Sequence, residues 1–376
     1  MRYSNCSVSP ESLTLPAMIA LIGATGFTGT LIAQELKRIG CPARLAARDE
    51  TKLRRLATDL GGRFDTVQVD VTDASGLYRA FDGATVVINC AGPFTGLSEP
   101  VVGEAARRGV HYLDTTGEQS FIRYVFEELD DEARRNGVAL VPACAFEYAL
   151  ADAAAELSAE GLQPCDEVEI AYAVRGFGTS RGTRKSIISA FGARGFQYRN
   201  SALVPMPSGL ISRRVNFPKA GRRTATALPF GEAIMVPRHV ATQNVTTLMV
   251  LPVPAAVLSA ASTLAGLILR SPLGGPLVRG AGRGSFGPPI EERQKSAFEI
   301  LCTARRGAQH RRVAVAGRDP YGLTATIAAH IASLLHNGNI AGTGAIAPSM
   351  VAGPKAIIEA TSAAGVSWTV GEIVTG

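Results

Sequence analysis

Short runs of consecutive apolar residues alternate with amphipathic segments through residues 17–146. The first run, AMIALI at 17–22, precedes a segment whose apolar side carries Leu31, Ile32, Leu36 and Ile39. Further apolar runs follow at residues 43–47, 66–73, 84–94, 110–118 and 138–146. Strands that alternate with helices in this way are typical of a parallel, doubly wound sheet. The pattern therefore predicts an α/β fold with a Rossmann sheet.

A glycine-rich turn joins the first predicted strand to the first predicted helix. Gly23 permits a tight turn, Gly26 lets a pyrophosphate approach the backbone, and Gly29 lets the helix pack closely on the strand. The start of the helix offers free N–H groups and a partial positive charge to phosphates. The residues that we expect to bind a dinucleotide here are Gly23, Thr25, Gly26, Phe27, Thr28 and Gly29.

The end of the second predicted strand bears on the choice of cofactor. Arg48 follows the strand directly, Asp49 comes next, and Lys52 lies one helical turn further on. An acidic residue at this place binds the ribose 2′-hydroxyl of NAD, whereas an arginine accommodates the 2′-phosphate of NADP. Because Arg48 comes first and Lys52 can join it, we predict NADP (NADPH) rather than NAD.

Ligands of open α/β sheets bind beyond the carboxyl ends of the strands. This rule adds further candidate cofactor-binding residues after the third and fourth strands: Asp70, Val71, Ala91, Gly92, Pro93 and Phe94. Asp70 has two interpretations, a contact to adenine or a cap of its own strand. The same rule places residues 114–118 and 144–148 along the cleft.

The sequence holds no ready-made proton donor. No tyrosine is followed four residues later by lysine, and no histidine pair or Cys-x-x-Cys has the spacing of a metal site, so we predict no metal. Hydride addition to a polarised double bond needs a proton donor. The catalytic candidates at the cleft are Tyr148, Glu147, Glu118 and Asp114. Each has a structural alternative, such as the capping of a helix.

Charge is distributed unevenly along the 376 residues. Residues 170–290 contain fifteen basic residues and one acidic residue, Glu232, although the net charge of the whole chain is only +6. Arg184 and Lys185 lie in the first turn of a predicted helix, where cations are not favoured, so they suggest an anionic ligand. His239 and Tyr321 are further substrate candidates. No aromatic platform accompanies the charge, so we expect no nucleic-acid partner.

An apolar segment at residues 239–269 contains no charged residue after His239. Pro252 and Pro254 interrupt it, and the part that follows is too short to span a bilayer unaided. Three interpretations stay open: a buried helix, a peripheral membrane contact helped by flanking arginines, or a transmembrane span. An apolar surface next to basic residues would also suit a hydrophobic small-molecule substrate that carries an anionic or carrier-bound group, here called its handle.

Four segments resemble the saccharopine dehydrogenase-like oxidoreductases, including trans-acting enoyl reductases: GATGFTG, INCAGPF, GEAARRGVHYLDTTGE and GRDPYGLTATIAAHIA. The resemblance implies an NAD(P)-binding Rossmann domain with an inserted mixed α/β substrate domain. Where that family leads us to expect Gly-Phe-Asp, this chain has Ala145-Phe146-Glu147. The longer Glu147 carboxylate changes any polar contact at this place.

The predicted elements divide the chain into four parts. We expect a flexible leader at 1–16, a Rossmann domain at 17–148, a substrate domain at 149–325, and C-terminal helices at 326–376 that return to the Rossmann domain. Six scattered cysteines and the absence of a secretion-signal pattern suggest a cytoplasmic protein, with peripheral membrane association and a homodimer left open.

The function favoured by the sequence is NADPH-dependent reduction of an activated C=C bond in a lipid, prenyl or polyketide-like substrate. Two alternatives remain. One is a saccharopine- or opine-type C–N dehydrogenase or imine reductase. The other is a non-catalytic, membrane-associated NADP-binding protein, because fold alone does not settle function.

Overall fold

The computed structural model describes residues 17–62, 64–192, 195–206, 211–252, 280 and 286–376. Two β-sheets organise this part of the chain, one of seven parallel strands and one of ten mostly antiparallel strands. The predicted α/β class, a doubly wound Rossmann sheet with a mixed α/β domain, is therefore confirmed.

The seven-stranded sheet has the order β15-β6-β5-β4-β1-β2-β3. Its strands are β1 (Met18–Ile22), β2 (Ala43–Ala47), β3 (Asp65–Gln68), β4 (Ala84–Asn89), β5 (His111–Asp114), β6 (Ala139–Val141) and β15 (Gly344–Ala345). The helices that accompany it are α1 (Phe27–Arg38), α2 (Glu50–Asp59), α3 (Ala74–Phe81), α4 (Glu99–Arg108), α5 (Gln119–Glu128), α6 (Asp130–Arg135) and α7 (Phe146–Ala159). The direction of winding reverses between β1 and β4, which is where such sheets bind nucleotides.

The ten-stranded sheet follows α7. Its strands are β7 (Glu167–Arg175), β8 (Phe196–Arg199), β9 (Ala202–Pro205), β10 (Ser212–Phe217), β11 (Gly221–Ala227), β12 (Val245–Met249), β13 (Ala297–Arg306), β14 (Gln309–Arg318), β16 (Ser367–Val370) and β17 (Val374–Thr375). Among the described residues, the remaining α-helices are α8 (Arg181–Gly192), α9 (Glu232–Met235), α10 (Ile290–Lys295), α11 (Pro320–His336) and α12 (Pro354–Glu359). Only β7 and β12 pair in parallel within this sheet.

The burial of the strands explains why runs of apolar residues predicted them. All five residues of β1 are buried, because helices cover both faces of a parallel sheet. The apolar run at 138–146 is different, since β6 ends at Val141 and α7 already begins at Phe146. Twelve of the fourteen residues of α7 are buried, and this helix packs against β13 and β14 of the second sheet. Its first turn therefore lies where the two domains meet.

The C-terminal part differs from the predicted boundaries. Helix α11 begins at Pro320. The Asp319 carboxylate caps this helix by accepting a hydrogen bond from the Gly322 N–H, and the helix packs on α1 and β4. The chain thus returns to the Rossmann domain a few residues before 326. The final residues leave it again, because β16 and β17 pair with β14 of the second sheet. The predicted unit 326–376 is therefore shared between the two domains.

The apolar segment at 239–269 is only partly described. Its residues 245–249 form β12, an interior strand of the second sheet, and residues 253–269 lie outside the described residues. Within the described part of the chain, none of the helices has the length and apolar character needed to cross a bilayer. The predicted leader, residues 1–16, also lies outside the described residues.

Candidate active site

The glycine turn after β1 lies against the end of β4. Gly23 has a φ of 76°, and a Cβ placed on it would come within 2.9 Å of the Ala91 nitrogen. A Cβ on Gly29 would lie only 2.3 Å from the Gly23 carbonyl oxygen. Side chains at these positions would therefore force the turn apart. The other predicted turn residues, Thr25, Gly26, Phe27 and Thr28, are half-buried.

The N-terminus of α1 fits a phosphate. Gly26 is the N-cap residue, no side chain caps the helix, and its first turn contains no acidic residue. The free N–H groups of a helix start bind anions, and here no carboxylate competes with them. This bare helix start beside the Gly23 turn is the observation that fits the pyrophosphate of a dinucleotide.

The side chains of Arg48 and Asp49 differ in their contacts at the end of β2. The Asp49 carboxylate caps α2 by accepting a hydrogen bond of 3.0 Å from the Lys52 N–H, and it also pairs with the Lys52 Nζ at 3.0 Å. Both contacts occupy the carboxylate that would otherwise bind a ribose hydroxyl. The exposed Arg48 guanidinium has no hydrogen bond or ion pair within the described residues. This arrangement leaves Arg48 available to a 2′-phosphate.

Asp70 takes part in a local turn after β3. Its carboxylate accepts hydrogen bonds from the N–H and the hydroxyl of Thr72, at 3.0 and 2.7 Å. These bonds, together with the nearby charge of Arg48, lower the pKa of Asp70. Asp70 is exposed, whereas Val71 is buried. The Asp70 carboxylate is therefore engaged in a local turn, its contact to adenine stays a prediction, and the Val71 side chain lies in the core.

The side chain of Asn89 holds the segment that follows β4 in place. The fully buried Asn89 accepts a hydrogen bond from the Ala91 N–H at 3.0 Å and donates one to the Tyr112 hydroxyl at 3.2 Å. Gly92 is exposed, Ala91 and Pro93 are half-buried, and Phe94 is buried. Phe94 thus anchors this segment in the core, and a contact of Ala91, Gly92 and Pro93 with the cofactor stays a prediction.

Glu118 ties three segments together. Its carboxylate accepts hydrogen bonds from the N–H groups of Phe94 and Thr95, both at 3.0 Å, and from the Ser186 hydroxyl at 2.9 Å. Ser186 lies on α8 of the second domain, so this buried carboxylate joins the two domains at the cleft. With three donors already bound, the Glu118 carboxylate has a structural role in the described fold, and its catalytic role stays a prediction.

Asp114 has a comparable structural position at the end of β5. Its Oδ1 accepts hydrogen bonds from the N–H groups of Thr116 and Ala143, at 2.8 and 2.9 Å. The residue is fully buried, and burial raises the pKa of its carboxyl to about 7. Asp114 therefore shapes the turns after β5 and β6.

Glu147 and Tyr148 open α7 at the domain junction. Glu147 is partly exposed, and its carboxyl accepts no hydrogen bond from any other described residue. Burial nevertheless raises the pKa of this carboxyl to about 7. The neighbouring Tyr148 hydroxyl is buried and donates to the Gly117 carbonyl at 3.3 Å, and burial raises its pKa well above its ordinary value. Of the four catalytic candidates, Glu147 is the one that is partly exposed and whose carboxyl accepts no hydrogen bond from another described residue.

Tyr321 lies beside the cofactor turn. Its ring meets the Phe27 ring edge-on at 5.0 Å and stacks on Phe177 at 5.3 Å. Its hydroxyl accepts a hydrogen bond from the Ser180 N–H at 2.8 Å and contacts the Thr183 hydroxyl at 2.8 Å. Tyr321 therefore links the start of α1 to the segment that leads into α8.

The two basic candidates on α8 differ. One Arg184 guanidinium nitrogen donates to the Thr179 carbonyl at 2.6 Å, which fixes the preceding loop. Lys185 is half-buried and has no hydrogen bond or ion pair within the described residues. Because Lys185 precedes Ser186, its ammonium is the available cation nearest in sequence to the Glu118 contact.

His239 is held in a buried ionic cluster. Its Nε2 lies 2.8 Å from Asp152 Oδ1, and its Nδ1 lies 3.3 Å from Glu156 Oε2. Burial alone would lower the pKa of His239, but the two carboxylates raise it to about 10. Both carboxylates belong to α7, so His239 serves as a buried structural cation within the described residues, and its contact to a substrate stays a prediction.

Several residues of the site carry no recognisable motif. Asn89 acts through hydrogen bonds to Ala91 and Tyr112, Ser186 acts through a hydrogen bond to Glu118, and Phe177 acts through stacking. Glu232 did have a signal, since it is the one acidic residue in the basic stretch, but the sequence assigned it no role. Within the described residues, no cluster of histidine, cysteine and carboxylate side chains could hold a metal ion.

Comparisons with known proteins agree with this geometry. Residues 19–160 match the family of saccharopine dehydrogenase NADP binding domains. A Mycobacterium tuberculosis protein provisionally named a trans-acting enoyl reductase is 36% identical over 185 residues, which cover 45% of this chain and 43% of that protein. The trans-acting enoyl reductase of Mycobacterium leprae is 36% identical over 139 residues, or 36% of this chain and 33% of that protein. The matches thus span less than half the length of these relatives.

The whole described fold also has a solved counterpart. Apo saccharopine dehydrogenase (L-Glu forming) from Saccharomyces cerevisiae superposes with a TM-score of 0.61 at 12% identity, covering 96% of this chain and 100% of that one. At this identity the likeness concerns the fold alone.

Fold and site together define an NADP-binding protein with a Rossmann domain and a second, mixed α/β domain. Residues 19–160 are similar to the saccharopine dehydrogenase NADP binding domains, the family that the sequence motifs resemble. Its cofactor is accordingly NADP, as predicted.

Proposed function

We propose that this protein is an NADPH-dependent reductase that acts on an activated C=C bond of a bulky hydrophobic substrate. The observation that carries the proposal is Glu147, an accessible carboxyl with a pKa of about 7 at the head of α7, where the two domains meet. Relatives named trans-acting enoyl reductases support the reaction class.

The cofactor would be held by the chain's backbone and by Arg48. The N–H groups at the start of α1 would bind the pyrophosphate, and the free Arg48 guanidinium would bind the 2′-phosphate. The segment from Ala91 to Pro93 would form the opposite wall. Bound NADPH supplies a hydride to the substrate.

Glu147 would then supply the proton. Reduction of a C=C bond conjugated to a carbonyl needs a proton at the carbon next to that carbonyl, after hydride has reached the other carbon. A carboxyl with a pKa near 7 is protonated in about half of the molecules at neutral pH, and it recovers its proton from solvent because it is partly exposed. Glu118 and Asp114 would keep the surrounding backbone in place.

The second domain provides a surface suited to an apolar substrate. Phe177 and Phe286 are 36% and 48% exposed beside Tyr321 and Phe27, so aromatic carbon is available next to the cofactor turn. Lys185 offers a cation for an anionic handle. Such a handle could be a carboxylate, a phosphate or a carrier-bound thioester.

The experiment is a screen for substrate-dependent NADPH oxidation. Prenyl, polyketide and acyl-thioester enones would be compared with pairs of amino acids and keto acids, using wild type and Glu147→Gln. We expect turnover of a hydrophobic enone, reduced at least about 100-fold in Glu147→Gln with unchanged NADPH affinity. Turnover of an amino acid and keto acid pair instead would replace this proposal with C–N dehydrogenase chemistry. Wild-type activity in Glu147→Gln would remove Glu147 as the donor.

A further inference from the structure

Glu232 is a buried carboxyl without a cation. It is fully buried at the start of α9, and no lysine, arginine or histidine forms an ion pair with it within the described residues. This is unexpected because the surrounding stretch, residues 170–290, contains fifteen basic residues. One of its oxygens, Oε2, is buried and has no hydrogen-bond partner among the described residues. Burying a charged carboxylate in this way is costly.

Among the described residues, Tyr172 of β7 is the one side chain that forms a hydrogen bond with Glu232. The Tyr172 hydroxyl is within hydrogen-bond distance of two acceptors, Glu232 Oε1 and, at 3.4 Å, the main-chain carbonyl of Glu147. A phenol has one proton and cannot donate to both oxygens. If Glu232 is protonated, however, its O–H can donate to the Tyr172 oxygen, and the Tyr172 O–H can donate to the Glu147 carbonyl. The neutral acid thus satisfies both contacts, and the carboxylate does not.

The groups around Glu232 favour the neutral form. Helix α7 contributes Glu147, Tyr148 and Asp152, and β13 contributes Cys302, all acidic or neutral groups. Burial, with a smaller contribution from the charges of Glu147 and Asp152, raises the pKa of Glu232 to about 8, although the Tyr172 hydrogen bond acts in the opposite direction.

Basic groups on the flanking elements point elsewhere. Arg238, just after α9, lies over the Phe126 ring at 5.2 Å. Arg199 of β8 pairs with Glu167 at 3.5 Å. His239 is engaged by Asp152 and Glu156.

We propose that Glu232 and Tyr172 are positioning residues for Glu147, forming a neutral hydrogen-bonded link from the second domain to the main chain at the head of α7. The inference rests on the proposed function, in which Glu147 supplies the proton. The link explains how a residue of the substrate domain can hold the donor of the Rossmann domain in place. It also explains why one acidic residue is retained without a cation in so basic a stretch.

The protonation of Glu232 can be tested without any substrate. Glu232→Gln keeps the shape and the donor but cannot ionise. The ordinary pKa of a glutamate, 4.5, applies to Glu232 in the unfolded chain, whereas the pKa in the folded protein is about 8. Between these values the folded protein holds a proton that the unfolded chain has released, so the free energy of unfolding of wild type falls as pH rises from about 4.5 to about 8. The variant has no such group, so wild type loses stability relative to it over this range. We expect the difference in melting temperature, Glu232→Gln minus wild type, to widen by at least about 3 °C between pH 5 and pH 9. A constant difference would overturn the neutral acid.

The link itself is tested by hydrogen exchange of the peptide that covers the first turn of α7. Tyr172→Phe removes the hydroxyl, so we expect exchange at this turn to become at least about fivefold faster, whereas Glu232→Gln leaves it unchanged. Tyr78→Phe, at a tyrosine that is 62% exposed, is the matched control. Unchanged exchange in Tyr172→Phe would overturn the link whether or not a substrate is known.

The kinetic readout separates positioning from a merely structural role. If Glu147 and Glu232 must both be protonated, log kcat of wild type falls with a slope of about −1 above pH 7 and about −2 above pH 8, whereas Glu232→Gln keeps a slope of about −1. Tyr172→Phe should lower kcat about tenfold with little change in KM. Identical pH profiles for wild type and Glu232→Gln would contradict the positioning role, even if the stability result holds.

Discussion

The ring of Tyr321 meets the ring of Phe27 edge-on, with centroids 5.0 Å apart. Tyr321, in the first turn of α11 just after β14 of the second sheet, therefore packs directly on the first residue of α1. Phe27 immediately follows the glycine turn that fits the pyrophosphate. The same tyrosine contacts Ser180 and Thr183 through its hydroxyl. Cofactor turn and substrate domain are thus connected through one side chain.

Removing the Tyr321 hydroxyl should weaken this connection. Tyr321→Phe leaves the buried Ser180 N–H without its acceptor, so we expect a loss of about 1–3 kcal/mol in the free energy of unfolding. Chemical denaturation measures this loss. Tyr78→Phe, at an exposed tyrosine, is the control and should be neutral. Equal stability of Tyr321→Phe and wild type would show that water replaces the phenol without cost.

Gly23→Ala should abolish NADPH binding while the protein stays folded. The new Cβ would lie 2.9 Å from the Ala91 nitrogen at a φ of 76°, so the turn and the cofactor wall must both shift. We expect at least a 100-fold weaker Kd in a fluorescence titration. Gly103→Ala on α4, where a Cβ meets nothing within 4 Å, is the matched control and should bind as wild type does. Normal affinity in Gly23→Ala would refute the assignment of this turn.

Arg48→Ala should change cofactor preference. Since the Asp49 carboxylate is engaged by Lys52, Arg48 is left to read the 2′-phosphate. We expect NADPH to bind at least about tenfold more weakly and NADH to change less than about twofold. Arg55→Ala, at an exposed arginine of α2, controls for net charge. An equal loss for both cofactors would exclude Arg48 as the phosphate reader.

His239→Ala should destabilise the protein strongly, because it leaves Asp152 and Glu156 without their buried cation. Loss of one partner of a buried ion pair costs about 3–5 kcal/mol. The pKa of His239 is raised to about 10 in the folded protein, so the stabilisation is complete below about pH 6.5 and is lost as pH rises towards 10. The stability gap between wild type and His239→Ala should therefore narrow at alkaline pH, as urea denaturation at pH 6 and pH 10 would show. A gap independent of pH would mean that the histidine is neutral.

The pattern of the sequence predicted the first sheet well, because a parallel strand covered on both faces must be continuously apolar, as β1 is. It did not predict β15, since this strand consists of two residues, Gly344 and Ala345, defined only by their pairing with β6. The apolar run at 84–94 also exceeded β4, which ends at Asn89, where the side chain of Asn89 takes the Ala91 N–H and starts a turn.

The candidate site was legible only in part. The glycine turn and Arg48 are local features, so their spacing in the sequence carries the information. The pairs Ser186 with Glu118 and Tyr172 with Glu232 join residues 68 and 60 positions apart, and no local pattern encodes such contacts. For the same reason the sequence offered four acidic or phenolic donors, and hydrogen bonding in the fold left Glu147 as the unoccupied one.

The most direct test of the account is a fluorescence titration of the purified protein with NADPH and with NADH, carried out in parallel on wild type and Gly23→Ala. We expect saturable binding to wild type, with NADPH at least about tenfold tighter than NADH, and no binding to Gly23→Ala. Absence of binding of either cofactor to wild type, or binding that survives in Gly23→Ala, would contradict the assignment of this cleft to NADP and with it the proposed reductase.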